Sequence, residues 1–167
     1  MTSLKSLNAS GTCGLTDSGI KCLDLTKLNV YMNPKITNIN HMTSLKSLDA
    51  AGACGLTDEG IKCINPLRLE VWDNQKITNI NHMTRLIWLD AGFNSGISDS
   101  GISQLNLVEL DISFNEKITK INHMDRLIRL NVCGYEWINN PSITQLNLIL
   151  SNVKYKCCFT YECPNCP

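Results

Sequence analysis

The segment Lys-Ile-Thr-Asn-Ile-Asn-His-Met at residues 35–42 recurs unchanged at residues 76–83 and with one substitution at residues 117–124. The copies start 41 residues apart, and Leu-Lys-Ser-Leu at residues 4–7 returns at the same interval, at residues 45–48. A fixed period of this length is typical of a chain built from stacked copies of one small unit, none of which can bury its apolar side chains alone. The repeat therefore predicts a solenoid.

Each 41-residue period divides into two similar half-units. The half-units begin at Leu4, Leu25, Leu45, Pro66, Leu86, Leu107, Leu127 and Leu148. Counted from that residue, position 4 is leucine in every half-unit except the last, where it is Ser151. Position 6 is apolar and position 5 is polar throughout. Because this alternation has a period of two, we expect each half-unit to begin with a short β-strand.

The half-units are of two alternating types after the strand. The second type reads Asn-x-x-Ile-x-x-Ile-x-x-Met, as at residues 33–42, whereas the first type carries Gly-Leu-Thr-Asp-x-Gly-Ile, as at residues 14–20 and 55–61. Apolar spacing of three to five residues in the first type predicts a helical turn or short helix, with Thr57 and Asp58 as suitable N-caps. A strand, a tight turn and a helical return make one coil of a solenoid.

The pattern Leu-x-x-Leu-x-Leu-x-x-Asn, found in register along essentially the whole chain, resembles the leucine-rich repeat family. The first half-type is similar to the cysteine-containing repeats of F-box substrate adaptors, although Cys13 and Cys54 lie at position 10 instead of position 9. The second is similar to repeats of bacterial and giant-virus proteins. The expected organisation is one domain over residues 1–167, made of double repeats 4–44, 45–85, 86–126 and 127–167, the last being degenerate with a cysteine-rich end at 156–167.

This resemblance implies an α/β fold: a curved solenoid with a parallel, concave β-sheet of about eight strands and short helices, 3-10 turns or loops on the convex side. It also implies an asparagine ladder that satisfies backbone groups of neighbouring coils. The position-9 residues that match the ladder are Asn33, Asn74, Asn94 and Asn115.

In this family the side chains at positions 3, 5, 7 and 8 line the concave face, and here those positions hold most of the large aromatics. Exposed aromatic clusters mark binding surfaces, and a basic partner would relieve the repulsion between carboxylates on adjacent strands. An alternative is that the position-5 acids only keep the sheet soluble and its edge from associating, while the aromatics pack over each other. The predicted partner-binding residues are Tyr31, Glu70, Trp72, Asp73, Trp88, Asp90, Phe93, Glu109, Asp111 and Phe114.

The function expected from these columns is a protein–protein interaction module that binds a protein or peptide with basic residues, and not an enzyme. Two alternatives stay open: the substrate-recognition part of a ubiquitin-ligase adaptor, and a structural repeat protein that assembles end to end. Fifteen basic and fifteen acidic residues cancel, which argues against nucleic acid as a partner. No apolar run is long enough to span a membrane.

The nine cysteines and a repeat that starts directly at the N-terminus, without a signal peptide, predict an intracellular, cytoplasmic protein, with a viral or effector origin left open. Because residues two coils apart are separated by about 9.6 Å, the equivalent His41, His82 and His123 cannot share one metal ion. No cofactor is expected. The terminal cysteines allow a zinc site, a disulfide or a simply packed end: Cys157, Cys158, Cys163 and Cys166.

Overall fold

The computed structural model describes residues 4–133 and the backbone of residues 154–156. Within these residues, eight strands pair in parallel and in chain order to form one sheet. The predicted curved α/β solenoid is the observed fold. Its strands are β1 (Ser6–Asn8), β2 (Lys27–Asn29), β3 (Ser47–Asp49), β4 (Arg68–Glu70), β5 (Trp88–Asp90), β6 (Glu109–Asp111), β7 (Arg129–Asn131) and β8 (Lys154–Lys156).

The core is a set of apolar columns that run from coil to coil. The position-4 leucines face the interior from the sheet side, paired in register as Leu28 with Leu48 and Leu48 with Leu69. The returning half of each coil contributes the opposite wall, in which Ile36 and Ile39 are fully buried. Burial of this apolar surface stabilises the stack, since no single coil can enclose its own side chains.

Three short helices are present in the described residues, one in each of the first three half-units of the first type: α1 (Asp17–Ile20), α2 (Asp58–Ile61) and α3 (Asp99–Ile102). Their position confirms the predicted helical turn, but the predicted capping is wrong, because the Thr57 side chain makes no capping hydrogen bond. The Asp58 carboxylate instead accepts hydrogen bonds from the N–H and the hydroxyl of Thr78 in the next coil, both at 2.7 Å. The Thr-Asp motif therefore links coils.

Contact between coils also explains the second glycine of the Gly-Leu-Thr-Asp-x-Gly-Ile motif. A Cβ atom added to Gly60 would overlap the carbonyl oxygen of Thr37, and one added to Gly101 would overlap that of Thr78. At the equivalent Gly19 in the first coil, the only close neighbour would be a methyl group of Leu15. Glycine is thus required where one coil packs on the backbone of the coil before it.

The last described strand departs from the sequence register. The half-unit that begins at Leu148 predicts Ser151 at the centre of its strand, whereas Leu130 of β7 pairs with Tyr155. The prediction failed because this half-unit lacks the position-4 leucine that aligns the others. The terminal cysteines Cys157, Cys158, Cys163 and Cys166 lie outside the described residues.

Candidate partner-binding surface

The chain leaves strands β1 to β6 through turns whose position-8 residue has a left-handed backbone. Its N–H donates to the position-7 carbonyl of the next coil at 2.7–3.2 Å, so the turn is fixed by contact between coils. Residues other than glycine pay about 1–2 kcal/mol for this conformation. The residues concerned, with φ between 54° and 64°, are Gly11, Met32, Gly52, Asp73, Phe93 and Phe114.

Four rings form a continuous series along this edge of the sheet face, which we call the aromatic stack: Tyr31, Trp72, Phe93 and Phe114. The ring centroids of Tyr31 and Trp72 are 5.2 Å apart. Those of Trp72 and Phe93 are 6.2 Å apart, and those of Phe93 and Phe114 are 5.3 Å apart. These separations are typical of favourable aromatic pairs.

Tyr31 and Trp72 belong to coils two apart, whose strands are separated by about 9.6 Å. The intervening coil has small residues at positions 7 and 8, Ala51 and Gly52, so no large side chain lies between the rings. A Cβ atom on Gly52 would lie 3.1 Å from Tyr31 Cε2 and 2.7 Å from Met32 Sδ. The absent side chain of Gly52 therefore makes room for the stack.

The stack remains largely open to solvent. Phe93 is 52% exposed and Phe114 is 40% exposed, while the rings of Tyr31 and Trp72 are half-buried. Asp73, at the same turn, is exposed. Large apolar side chains that are exposed together and held in order by neighbouring coils are the usual content of a binding surface.

Beside the stack, four acidic residues at position 5 form the carboxylate row: Asp49, Glu70, Asp90 and Asp111. Strand register places Asp49 beside Glu70, Glu70 beside Asp90, and Asp90 beside Asp111. All four are half-buried. Burial raises the pKa of Asp90 to about 6. The negative charges of Asp111, Glu70 and Asp49 raise this pKa further, whereas the hydrogen bond from the Gly92 N–H lowers it.

Position 5 also has a structural task. Asp90 Oδ1 accepts the N–H of Gly92 at 3.1 Å, and Asn29 makes the equivalent bond to the N–H of Tyr31 at 2.9 Å. An amide serves this turn as well as a carboxylate does. The turn accounts for a short polar side chain, but not for a negative charge.

The position-3 side chains form a separate row, in which Trp88 and Glu109 each contact an arginine of an adjacent strand. The guanidinium carbon of Arg68 lies 4.2 Å from the ring centroid of Trp88. Arg129 Nη1 donates to Glu109 Oε1 at 2.6 Å. Trp88 and Glu109, which the sequence groups with the aromatic stack, are thus engaged within the chain. The sequence did not predict the role of Arg68, because that role depends on which strand lies next to it.

The asparagine ladder involves the second half-type. Asn33, Asn74 and Asn115 are buried, and their Nδ2 atoms donate to the carbonyl oxygens of Ala9, Ala50 and Ala91, each at 2.7 Å. Asn94 does not share this environment.

Asn94 is exposed, and the buried residue of that coil is Ser95 at position 10. Position 10 of the first half-type also carries Cys54, which is fully buried, accepts from Asn74 Nδ2 at 3.2 Å and donates to the Ala50 carbonyl oxygen at 3.1 Å. The inclusion of Asn94 in the ladder therefore needs correction. In the second and third copies of the first half-type, Cys54 and Ser95 at position 10 take the interior place, and the position-9 side chains Ala53 and Asn94 are exposed.

Two of the three repeated histidines, His41 and His82, link coils. His41 Nε2 donates to the carbonyl oxygen of Ile20 at 3.1 Å, and His82 Nε2 donates to that of Ile61 at 3.2 Å. Within residues 4–133 no group of three or more His, Cys, Asp or Glu side chains is arranged to hold a metal ion.

A comparison with protein-family models gave no match, and a comparison with curated protein sequences gave none. In the part of the chain that the structure describes, no helix combines the length and apolar character needed to cross a lipid bilayer.

Proposed function

We propose that this chain is a protein-interaction module that binds a protein or peptide partner on the sheet face of its solenoid, by association and not by catalysis. The observation that carries the proposal is the aromatic stack, in which rings from four coils lie in order and those of Phe93 and Phe114 are exposed to solvent. A preformed surface loses little conformational entropy on binding, and aromatic side chains are the usual anchors of interfaces.

The sequence resemblance to leucine-rich repeats supports the same use, since that family binds partners on its concave sheet. The parallel-sheet solenoid is compatible with such a repeat. The left-handed backbone of Phe93 and Phe114 adds a further argument, because strained residues concentrate at functional sites.

The test is an interaction screen with the wild-type chain and two double variants. Phe93→Ala/Phe114→Ala removes two rings of the stack but keeps a residue with a Cβ atom at each left-handed turn position. Ile87→Ala/Ile128→Ala is the matched control, because these exposed apolar residues directly precede strands β5 and β7, at the end opposite the stack.

Partners are expected to be lost with the first variant and retained with the second. The proposal fails if every partner survives removal of Phe93 and Phe114. A mass that rises with protein concentration in light scattering would instead favour the self-assembling alternative.

A further inference from the structure

The sheet face carries two neighbouring sets of aromatic rings and carboxylates, and only the position-3 row also contains arginines. In the position-3 row, Arg68 lies over the ring of Trp88 and Arg129 pairs with the carboxylate of Glu109. This row thus supplies its own guanidinium groups, one on an aromatic ring and one on a carboxylate.

The adjacent surface, made of the carboxylate row and the aromatic stack, has rings and carboxylates without an arginine. Among the described residues, neither Glu70 nor Asp90 forms an ion pair within 4.0 Å, although the more distant charges of Arg68 and Lys27 act on Glu70. Within the same part of the chain, Asp90 Oδ2 accepts no hydrogen bond. Because strand side chains alternate, Glu70 and Trp72 point to the same face. Asp90 bonds to the N–H of Gly92, which immediately precedes Phe93 and has no side chain to cover the carboxylate.

The rings are not needed for the turn in which they lie. Gly11 and Gly52 occupy the equivalent position in other coils, with the same left-handed backbone and the same hydrogen bond to the next coil. Phe93 and Phe114 adopt that conformation at a steric cost that glycine avoids. The turn therefore does not explain these phenylalanines. Their rings extend the aromatic stack within the chain, and about half of the Phe93 side chain stays exposed for a further contact.

We propose that this surface binds an arginine side chain from a partner protein, held between the carboxylates of Glu70 and Asp90 and the rings of Trp72 and Phe93, with an apolar neighbour of that arginine on Phe114. The inference rests on the proposed function and names the chemistry of its partner. Charge complementarity selects a cation, since four half-buried carboxylates lie side by side with no cation paired to Glu70 or Asp90.

The geometry favours arginine over lysine. A guanidinium group is planar, stacks on aromatic rings and binds carboxylates through two parallel hydrogen bonds, whereas an ammonium group is a strongly hydrated point charge. The neighbouring row provides an internal example of both contacts, through Arg68 and Arg129.

The experiment is a selection from a phage-displayed library of random dodecapeptides on the immobilised wild-type chain. Dissociation constants are then measured for the enriched peptides. Asp90→Asn removes the charge and keeps the turn, as Asn29 does in its own coil. Phe93→Gly/Phe114→Gly removes the rings and relieves the left-handed strain. Both variants are expected to melt within a few degrees of wild type or above it, so loss of binding does not reflect unfolding.

The expected result is enrichment of arginine next to an apolar residue. Changing that arginine to lysine should weaken binding about tenfold, and Asp90→Asn should do the same. Enrichment without a cation, equal affinity for lysine, or no enriched peptide overturns the inference. If peptides bind through the rings but are insensitive to Asp90→Asn, the arginine proposal alone fails. If the Phe93→Gly/Phe114→Gly variant binds every enriched peptide as wild type does, the proposed binding face fails as well.

Discussion

Replacing Asp90 with asparagine is expected to stabilise the free protein at neutral pH. The carboxylate is half-buried beside Glu70 and Asp111, and burial raises its pKa to about 6, with further repulsion from Asp111, Glu70 and Asp49. The neighbouring strands β4 and β6 contain one basic side chain, that of Arg68, which lies over the ring of Trp88. An amide removes the charge and keeps the hydrogen bond to Gly92.

The sign follows from the raised pKa. Between its ordinary pKa of 3.8 and its folded value of about 6, the folded state holds the proton more tightly than the unfolded chain does. Ionisation of Asp90 therefore costs stability above pH 6, and the cost disappears as the pH falls through 6 toward 4. The full shift corresponds to about 3 kcal/mol, which solvent screening at this partly exposed site reduces to about 1–2 kcal/mol.

The assay is urea denaturation of wild type and Asp90→Asn from pH 7.5 to pH 4. The variant should be more stable by about 1–2 kcal/mol at pH 7.5, and the difference should vanish near pH 4. A variant that is less stable at pH 7.5, or a difference that does not change with pH, would refute the reasoning. Asp24→Asn is the control of opposite sign, because hydrogen bonds from Ser44 lower the pKa of Asp24. This variant should lose stability at neutral pH.

Two further predictions concern contacts between coils. Gly60→Ala should cost about 1–3 kcal/mol in urea denaturation because its methyl group would overlap the Thr37 carbonyl. Gly19→Ala, in the first coil, should cost less than about 1 kcal/mol, and equal losses would contradict the packing argument. Asn74→Ala should cost about 2–3 kcal/mol by leaving buried backbone groups unsatisfied. Asn94→Ala should stay within about 0.5 kcal/mol, and a larger loss would place Asn94 in the ladder after all.

The solenoid was predictable because the spacing of apolar residues within one half-unit determines the geometry of the coil. Leu28, Leu48 and Leu69 alternate with polar residues, and a strand can bury one face only in that pattern. The helices of the first half-type followed from apolar spacing in the same way. The role of Thr57 did not, because the sequence does not state that Thr78 lies opposite Asp58 in the next coil.

For the candidate site, the sequence predicted only which positions of the half-units lie on the sheet face. Position along the coil placed Trp72 and Trp88 on the same face, but their partners depend on the adjacent coils. Trp72 meets Tyr31 across the gap at Gly52, whereas Trp88 lies beneath Arg68. The predicted patch is therefore two rows with different chemistry.

By itself, the 41-residue repeat determined the coil, the sheet and the face on which the side chains of strands β1 to β7 lie, because those properties depend on periodic burial within one unit. Only the tertiary structure decided that position 8 is left-handed, that Phe93 and Phe114 accept this strain, and that Asp90 is half-buried without a cation paired to it. These properties arise from hydrogen bonds and packing between successive coils, which the spacing of residues within one coil does not encode.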